Sequence, residues 1–248
     1  MNYPKIMLLI LCGVMFFSYG VLYAEEGAVW QTKTFSEEEL RYLGEDGAIE
    51  VSDPLEPLNR LFFTFNDRLY FWLLRPISKG YSFVFPEPLR VCFLRAYENV
   101  KMPIRAINCL LQLKFHGFIK EIGRFLINST VGILGFGDPA KEVFGLFPQD
   151  EDLGQSFGSY GIGAGFYIVW PILGPSTLRD TVGKAGDSLL NPISHLETQD
   201  MLYVRATESI NQVSLEGKKY EDLKGSSLDP YVSMRDAYYQ QRETKIRE

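Results

Sequence analysis

Residues 58 to 74 constrain this chain more than any other stretch. Leu58, Leu61, Phe62, Phe65, Leu69, Trp72 and Leu73 recur at the i, i+3, i+4, i+7 spacing of one helical face. Asn59, Arg60, Thr64, Asn66, Asp67 and Arg68 lie opposite, while Phe63, Tyr70 and Phe71 flank the stripe and widen its apolar arc with rings. At 1.5 Å per residue such a helix is about 26 Å long, close to the ~30 Å of a bilayer's hydrocarbon core. Two environments accept it: the core of a water-soluble domain, or a membrane interface in which the greasy face meets lipid. The aromatic widening favours the second. The whole chain agrees, with 18 Phe and 14 Tyr, because such rings are favoured where a surface is apolar at one end and wet at the other.

The same spacing predicts further helices. Pro76 is expected to end the first, and Phe85-Pro86-Glu87-Pro88 to form a rigid turn before a helix over Leu89 to Asn99. Pro103 opens a pattern running to residue 130, in which Ile104, Ile107, Leu111, Phe115, Phe118, Ile119, Ile122 and Leu126 share a side. From Thr130 to Ser176 glycines come at close intervals, which implies tight turns and close backbone approach in place of long helices. Phe166-Tyr167-Ile168-Val169-Trp170 carries strand formers, so a hairpin is expected near 155 to 170. Residues 176 to 190, 198 to 223 and 230 to 246 return to helical spacing. The fold class is therefore mainly α, with Gly-rich loops and a short β-hairpin. Its expected divisions are a signal peptide (1–24), an acidic leader (25–52) with a helix start at Ser36, a helical domain (53–225) and a C-terminal helix or tail (226–248).

Ile6 to Phe17 is almost free of polar groups and follows the single basic residue Lys5, and Leu22-Tyr23-Ala24 offers a cleavage site. That is the pattern of an export signal, with an uncleaved anchor as the alternative. Cys12 invites lipidation, yet Leu11 precedes it where processing prefers a small residue. Cys92 and Cys109 lack the close pairing and the histidine partners of a zinc site, and are read as two buried thiols or one disulfide. A formal charge of −6 without a basic run excludes the dense basic face that nucleic acid requires. His116 and His195 stand in no metal-spaced cluster, and no Gly-x-Ser-x-Gly elbow exists to arm a hydrolase.

Several blocks taken in order resemble the MlaA/VacJ family. They are Asp53-Pro54-Leu55-Glu56-Pro57-Leu58-Asn59-Arg60 with Phe65-Asn66, Arg124-Phe125-Leu126-Ile127-Asn128-Ser129-Thr130-Val131-Gly132, Gly137-Asp138-Pro139-Ala140, Glu151-Asp152-Leu153-Gly154-Gln155, Gly161-Ile162-Gly163-Ala164-Gly165-Phe166-Tyr167 and Leu173-Gly174-Pro175-Ser176-Thr177-Leu178-Arg179-Asp180. The resemblance covers residues 53 to 196, with an echo from Asp229 to Tyr239. It implies a ring-like helical body embedded in a Gram-negative outer membrane, with an amphipathic channel through it. It also implies partners: phospholipid, a trimeric outer-membrane porin and a soluble periplasmic lipid-carrier protein, with no enzymatic activity and no cofactor. Leu153 departs from the family's usual Phe, and the weak sequence before Cys12 departs from its usual lipoprotein signal. Two other functions stay open beside transport: a porin-associated scaffold without transport, and a lipid hydrolase.

The resemblance assigns Asn59, Arg60, Phe65 and Asn66 to the channel region, along with Arg124 and Asn128. Each has a plainer role available. The asparagines and Arg60 can bond between helices, and Arg124 can grip a phosphate with two parallel donors or form a buried ion pair with Asp138 or Asp152. Arg179 and Asp180 follow a turn in which Ser176 or Thr177 can cap a helix and Asp180 can complete a capping box, against a headgroup contact. Gly161, Gly163 and Gly165 have the wrong spacing for a dinucleotide loop and read as tight packing or as a hinge.

Overall fold

Helix α1 runs over Glu56–Leu69, with Pro57 in its first turn and Glu56 at its N-terminal end, where a carboxylate suits the helix dipole. The computed structural model that contains it describes residues 51–247. The expected signal peptide, the leader's helix start at Ser36 and the lipidation of Cys12 lie outside those residues. Pro76 does not end the first helical stretch. A π-helical turn over Tyr70–Leu74 intervenes, and α2 continues over Arg75–Val84. The wide turn accounts for the difference, because the proline's missing N–H then falls in the first turn of a new α segment, where no donor is needed.

Helix α3 spans Glu87–Val100. The predicted helix from 103 to 130 is two helices, α4 (Met102–Leu111) and α5 (Phe115–Thr130). Leu113 breaks the run at φ +59°, a left-handed conformation unusual for a branched residue. On either side of it Gln112 and Lys114 turn to the same Glu151 carboxylate, each at 2.7 Å. Two short helices, α6 (Pro139–Glu142) and α7 (Leu153–Ser159), occupy the Gly-rich stretch. Strands β1 (Tyr167–Trp170) and β2 (Gly174–Thr177) form an antiparallel hairpin with Tyr167 opposite Thr177 and Trp170 opposite Gly174. It lies C-terminal to most of the expected window, whose start is helix α7. Helix α8 (Leu178–Leu190), a 3-10 turn (Pro192–His195), the 29-residue α9 (Thr198–Ser226) and α10 (Pro230–Arg247) complete the chain. None of the described helices is both long and apolar enough to cross a membrane by itself.

Polarity is turned inside out. Among the described residues nine apolar side chains are buried, against eighteen polar or charged ones, whereas an ordinary interior is dominated by aliphatics. Trp72 at 80% exposure, Phe83 at 92%, Ile119 at 68%, and Leu134, Val143 and Leu189 beyond them stand on the outside. Helix α1 shows the pattern in miniature. Leu58, Leu61 and Phe65 face out while Asn59, buried, and Tyr70 at the start of the π turn face in.

Most of the buried polar groups satisfy one another, as burial requires, while Nε of Arg75, Arg124 and Arg242 and one terminal nitrogen of Arg179 have no hydrogen-bond partner. Glu121, wholly buried, accepts from Arg105 Nε at 2.8 Å and from the Gln149 backbone N–H at 2.7 Å. Asn108 donates to Asp187 at 2.8 Å and accepts from Ser156 at 2.9 Å. Asn211 on α9 donates to the Arg90 carbonyl at 2.9 Å and accepts from Tyr81 at 3.1 Å. The apolar core is small and aromatic: Tyr167, Val169, Tyr231 and Tyr239, with Phe62 and Phe63 packed against them. Tyr231 and Tyr239 come from α10, so the segment set apart in sequence as a tail supplies half of this core. Cys109 is buried and Cys92 half-buried, and both are thiols.

Candidate functional site

Two asparagines one heptad apart on α1 hold the outer edge of the hairpin. Asn59 donates to the Tyr167 carbonyl at 3.0 Å, accepts from the Val169 N–H at 2.8 Å and donates to Asp53 at 2.8 Å. Asn66 donates to the Trp170 carbonyl at 2.9 Å and accepts from the Ile172 N–H at 2.7 Å. Their amides thus replace the strand that β1 lacks on that side, and a two-stranded ribbon needs such support.

Between α1, this hairpin and α9 lies a cavity of about 480 Å³, within the range of ligand pockets. Phe63 and Asn66 of α1 and Tyr70 of the π turn form one side, and Val169, Ile172 and Pro175 of the hairpin a second. Helix α9 contributes Ser209, Gln212, Val213, Glu216, Gly217 and Tyr220, and α10 adds Met234. The wall is thus hydrocarbon and ring on the hairpin side and hydroxyl, amide and carboxylate along α9. It can accept a molecule that is itself part apolar and part polar. At the π turn the Tyr70 hydroxyl donates towards the Gly217 carbonyl at 3.0 Å, and a methyl group on Gly217 would come within 2.6 Å of that hydroxyl. Burial, followed by the Glu221 carboxylate beside it, pushes the Tyr70 phenol up to about 12, so it stays protonated.

Of the residues singled out in sequence, only Asn66 lines this cavity. Arg60 lies half exposed over the Tyr231 ring, its guanidinium carbon 4.4 Å from the ring centre, and bonds Glu56 at 2.7 Å and Asp229 at 2.9 Å. Phe65 is on the outside. Arg124 is buried in an ion pair with Asp138 at 3.1 Å and a bond to the Leu146 carbonyl, and Asn128 holds the same carboxylate at 2.9 Å. Thr177 caps α8 by accepting from the Asp180 N–H at 3.1 Å. The Asp180 carboxylate does not close a capping box; it turns to α10, bonding Tyr238 at 2.8 Å and Arg242 at 2.9 Å, with Arg179 Nε at 3.2 Å.

Gly163 and Gly165 line a second, smaller cavity of about 340 Å³ with Phe157, Leu178, Arg179 and Val182. The two glycines differ. Nothing lies within 4 Å of a side chain added at Gly163, whereas Gly165 sits at φ +72° with Leu178 Cβ 3.0 Å from the added carbon. Gly165→Val is therefore expected to cost about 1–3 kcal/mol of stability through backbone strain and overpacking, with Gly163→Val within ~0.5 kcal/mol of the parent. Thermal unfolding in detergent checks the pair, and equal melting temperatures would contradict it.

The cavity's polar wall was missed in sequence. Ser209, Gln212 and Glu216 stand at i, i+3 and i+7, a one-sided polar stripe that was there to be seen, but the surrounding helix is weakly patterned and reads as ordinary surface.

A profile of the MlaA lipoprotein family matches residues 51–245. The chain belongs to that family. A protein of Rickettsia felis described only as uncharacterized is 35% identical over 82% of this chain and 81% of its own length. The intermembrane phospholipid transport system lipoprotein MlaA of Shigella flexneri is 31% identical over 77% of each chain, and its Escherichia coli counterpart 30% over the same shares. A solved chain, described as giving the structural basis for maintenance of bacterial outer membrane lipid asymmetry, superposes with a TM-score of 0.71 at 29% identity, over 79% of this chain and 99% of that one. The mainly helical MlaA fold with its short hairpin is therefore the fold of this chain.

Proposed function

We propose that this protein takes phospholipid out of the outer leaflet of the outer membrane and passes it, through the cavity between α1, the hairpin and α9, towards a soluble periplasmic lipid carrier. The observation that carries the reading is the inverted polarity, with apolar side chains outside, paired polar groups inside and a cavity of mixed lining between them. Greasy residues facing water in such numbers would bring aggregation, and facing acyl chains they cost nothing. The transport role named for the Shigella and Escherichia relatives supports the same function here. In this reading the short helices form a ring-like body within the membrane, one apolar flank rests against a trimeric porin, and the Gly161–Gly165 segment, whose end glycines take positive φ, is the joint on which the hairpin moves.

Two measurements test it together. Deletion of the protein raises the phospholipid exposed at the cell surface, and a photocrosslinker in place of Asn66 captures phospholipid from intact cells. An unchanged outer leaflet with no captured lipid would leave only a scaffold.

A further inference from the structure

Resting on that transport reading, we propose that the cavity selects phospholipids whose headgroup carries an ammonium over those whose headgroup is net anionic. The lining is lopsided in charge as well as in polarity. Glu216 is the single acidic residue among the described residues that line it, and no lysine or arginine lines it. The cations nearest the Tyr70 and Tyr220 end are already taken: Lys224 pairs with Asp67 at 2.7 Å and Arg75 with Glu221 at 2.7 Å. Lys219 pairs with Glu216 at 3.0 Å from outside the cavity. That pair is exposed at both ends, 77% for the lysine, and such pairs contribute little and exchange freely with other partners.

A phospholipid entering with its acyl chains against Phe63, Val169 and Met234 sets its headgroup along the α9 stripe. There Gln212, whose amide bonds Glu216 at 3.4 Å, has a further N–H to offer a phosphate oxygen. Every phospholipid brings that phosphate. An ammonium brings in addition a cation for Glu216, which a glycerol headgroup lacks, and the phosphate's own charge then stands unrelieved beside the carboxylate. At a half-exposed site two unit charges about 4 Å apart differ enough between attraction and repulsion to give at least about a five-fold preference.

The test is competition between equimolar phosphatidylethanolamine and phosphatidylglycerol of matched acyl chains. The full-length mature protein is incubated with such mixed vesicles and recovered, and its bound lipid is measured by mass spectrometry. The parent is expected to hold about five times more phosphatidylethanolamine than phosphatidylglycerol. Glu216→Gln is expected to return the bound ratio to that of the vesicles, and Glu216→Lys to invert it. Because Glu216 is half exposed and bonds no backbone group, circular dichroism of both variants should match the parent. A parent ratio equal to that of the vesicles, or a preference that survives Glu216→Gln, overturns this inference alone. Recovery of no phospholipid of either kind overturns the transport reading as well.

Discussion

Val213→Trp abolishes phospholipid transport and leaves the protein folded: that is the largest effect expected at the cavity. Val213 is half buried on α9 and points one branched side chain into the 480 Å³ space between the polar stripe and the hairpin. An indole there occupies the route a pair of acyl chains would take. Forcing lipid past an overfilled wall costs about 1–3 kcal/mol, and each ~1.4 kcal/mol added to a barrier slows passage tenfold. Transfer from labelled vesicles is therefore expected to fall at least tenfold, with surface-exposed phospholipid rising to the level of the deletion strain. Val213→Ala, which widens the same space, is expected to keep transport within about twofold of the parent, because it removes no polar contact and leaves the route open. A tryptophan variant that transports at the parental rate would place the lipid route elsewhere.

Asp180→Ala is expected to be the most damaging single change to the fold. Its carboxylate is almost fully buried and collects the Tyr238 hydroxyl, Arg242 and Arg179. Arg242 also grips Asp152 at 2.8 Å. Removing the central carboxylate leaves the buried Arg179 with no acid and Arg242 with Asp152 alone, and breaking a buried pair in this way costs about 3–5 kcal/mol. The backbone adds to the demand. A side-chain carbon on Gly154 would stand 2.5 Å from the Asp180 carboxylate, and one on Gly183 2.4 Å from the Gly154 nitrogen, so α7, α8 and α10 meet with no room to repack.

The same cluster sets an acid limit. Burial opposes the charge on Asp152, but the bonded Arg242 guanidinium outweighs it and holds the carboxyl at about 2. Burial likewise opposes Asp180, and the charge of Arg242 with the Tyr238 bond draws it down. Folded-state values below the unfolded ~3.9 mean that these groups stabilise the protein fully above about pH 4 and lose that contribution as pH falls towards 2. Unfolding in detergent between pH 6 and pH 2 should show the parent weakening across that interval, and Asp180→Ala, already weak, changing less. A parent whose stability is flat to pH 2 would remove the cluster from this role.

The helices were legible because period and breakers are local. Pro103 sits in a first turn where sequence placed a helix start, Pro57 and Pro88, read as lying just ahead of their helices, fall inside the first turns, and Phe166 to Trp170 announced a strand. Where the reading failed, the cause lay elsewhere in the chain. Leu113 takes its left-handed turn while its neighbours answer to Glu151, about forty positions away, and Pro76 is accommodated by a π turn that no residue type signals. The site was less legible for the same reason. Conspicuous polar groups such as Arg124, Asn128 and Arg179 drew attention, and they are the framework, whereas the cavity takes its polar wall from Ser209, Gln212 and Glu216 on a helix without a strong face.

An interior of asparagines, arginines and carboxylates has a further consequence. Oily side chains recognise volume, so many neighbours suit them, but a hydrogen bond recognises direction, so a buried group such as Asn59 or Asn108 meets its particular partners in only one orientation. Shape is thus written in the inner face, and the outer face carries few such directional demands. Exchanges among leucine, isoleucine, phenylalanine and valine on that outside should be nearly free, while a swap of Asn59 or Asn108 for a residue of equal size should not.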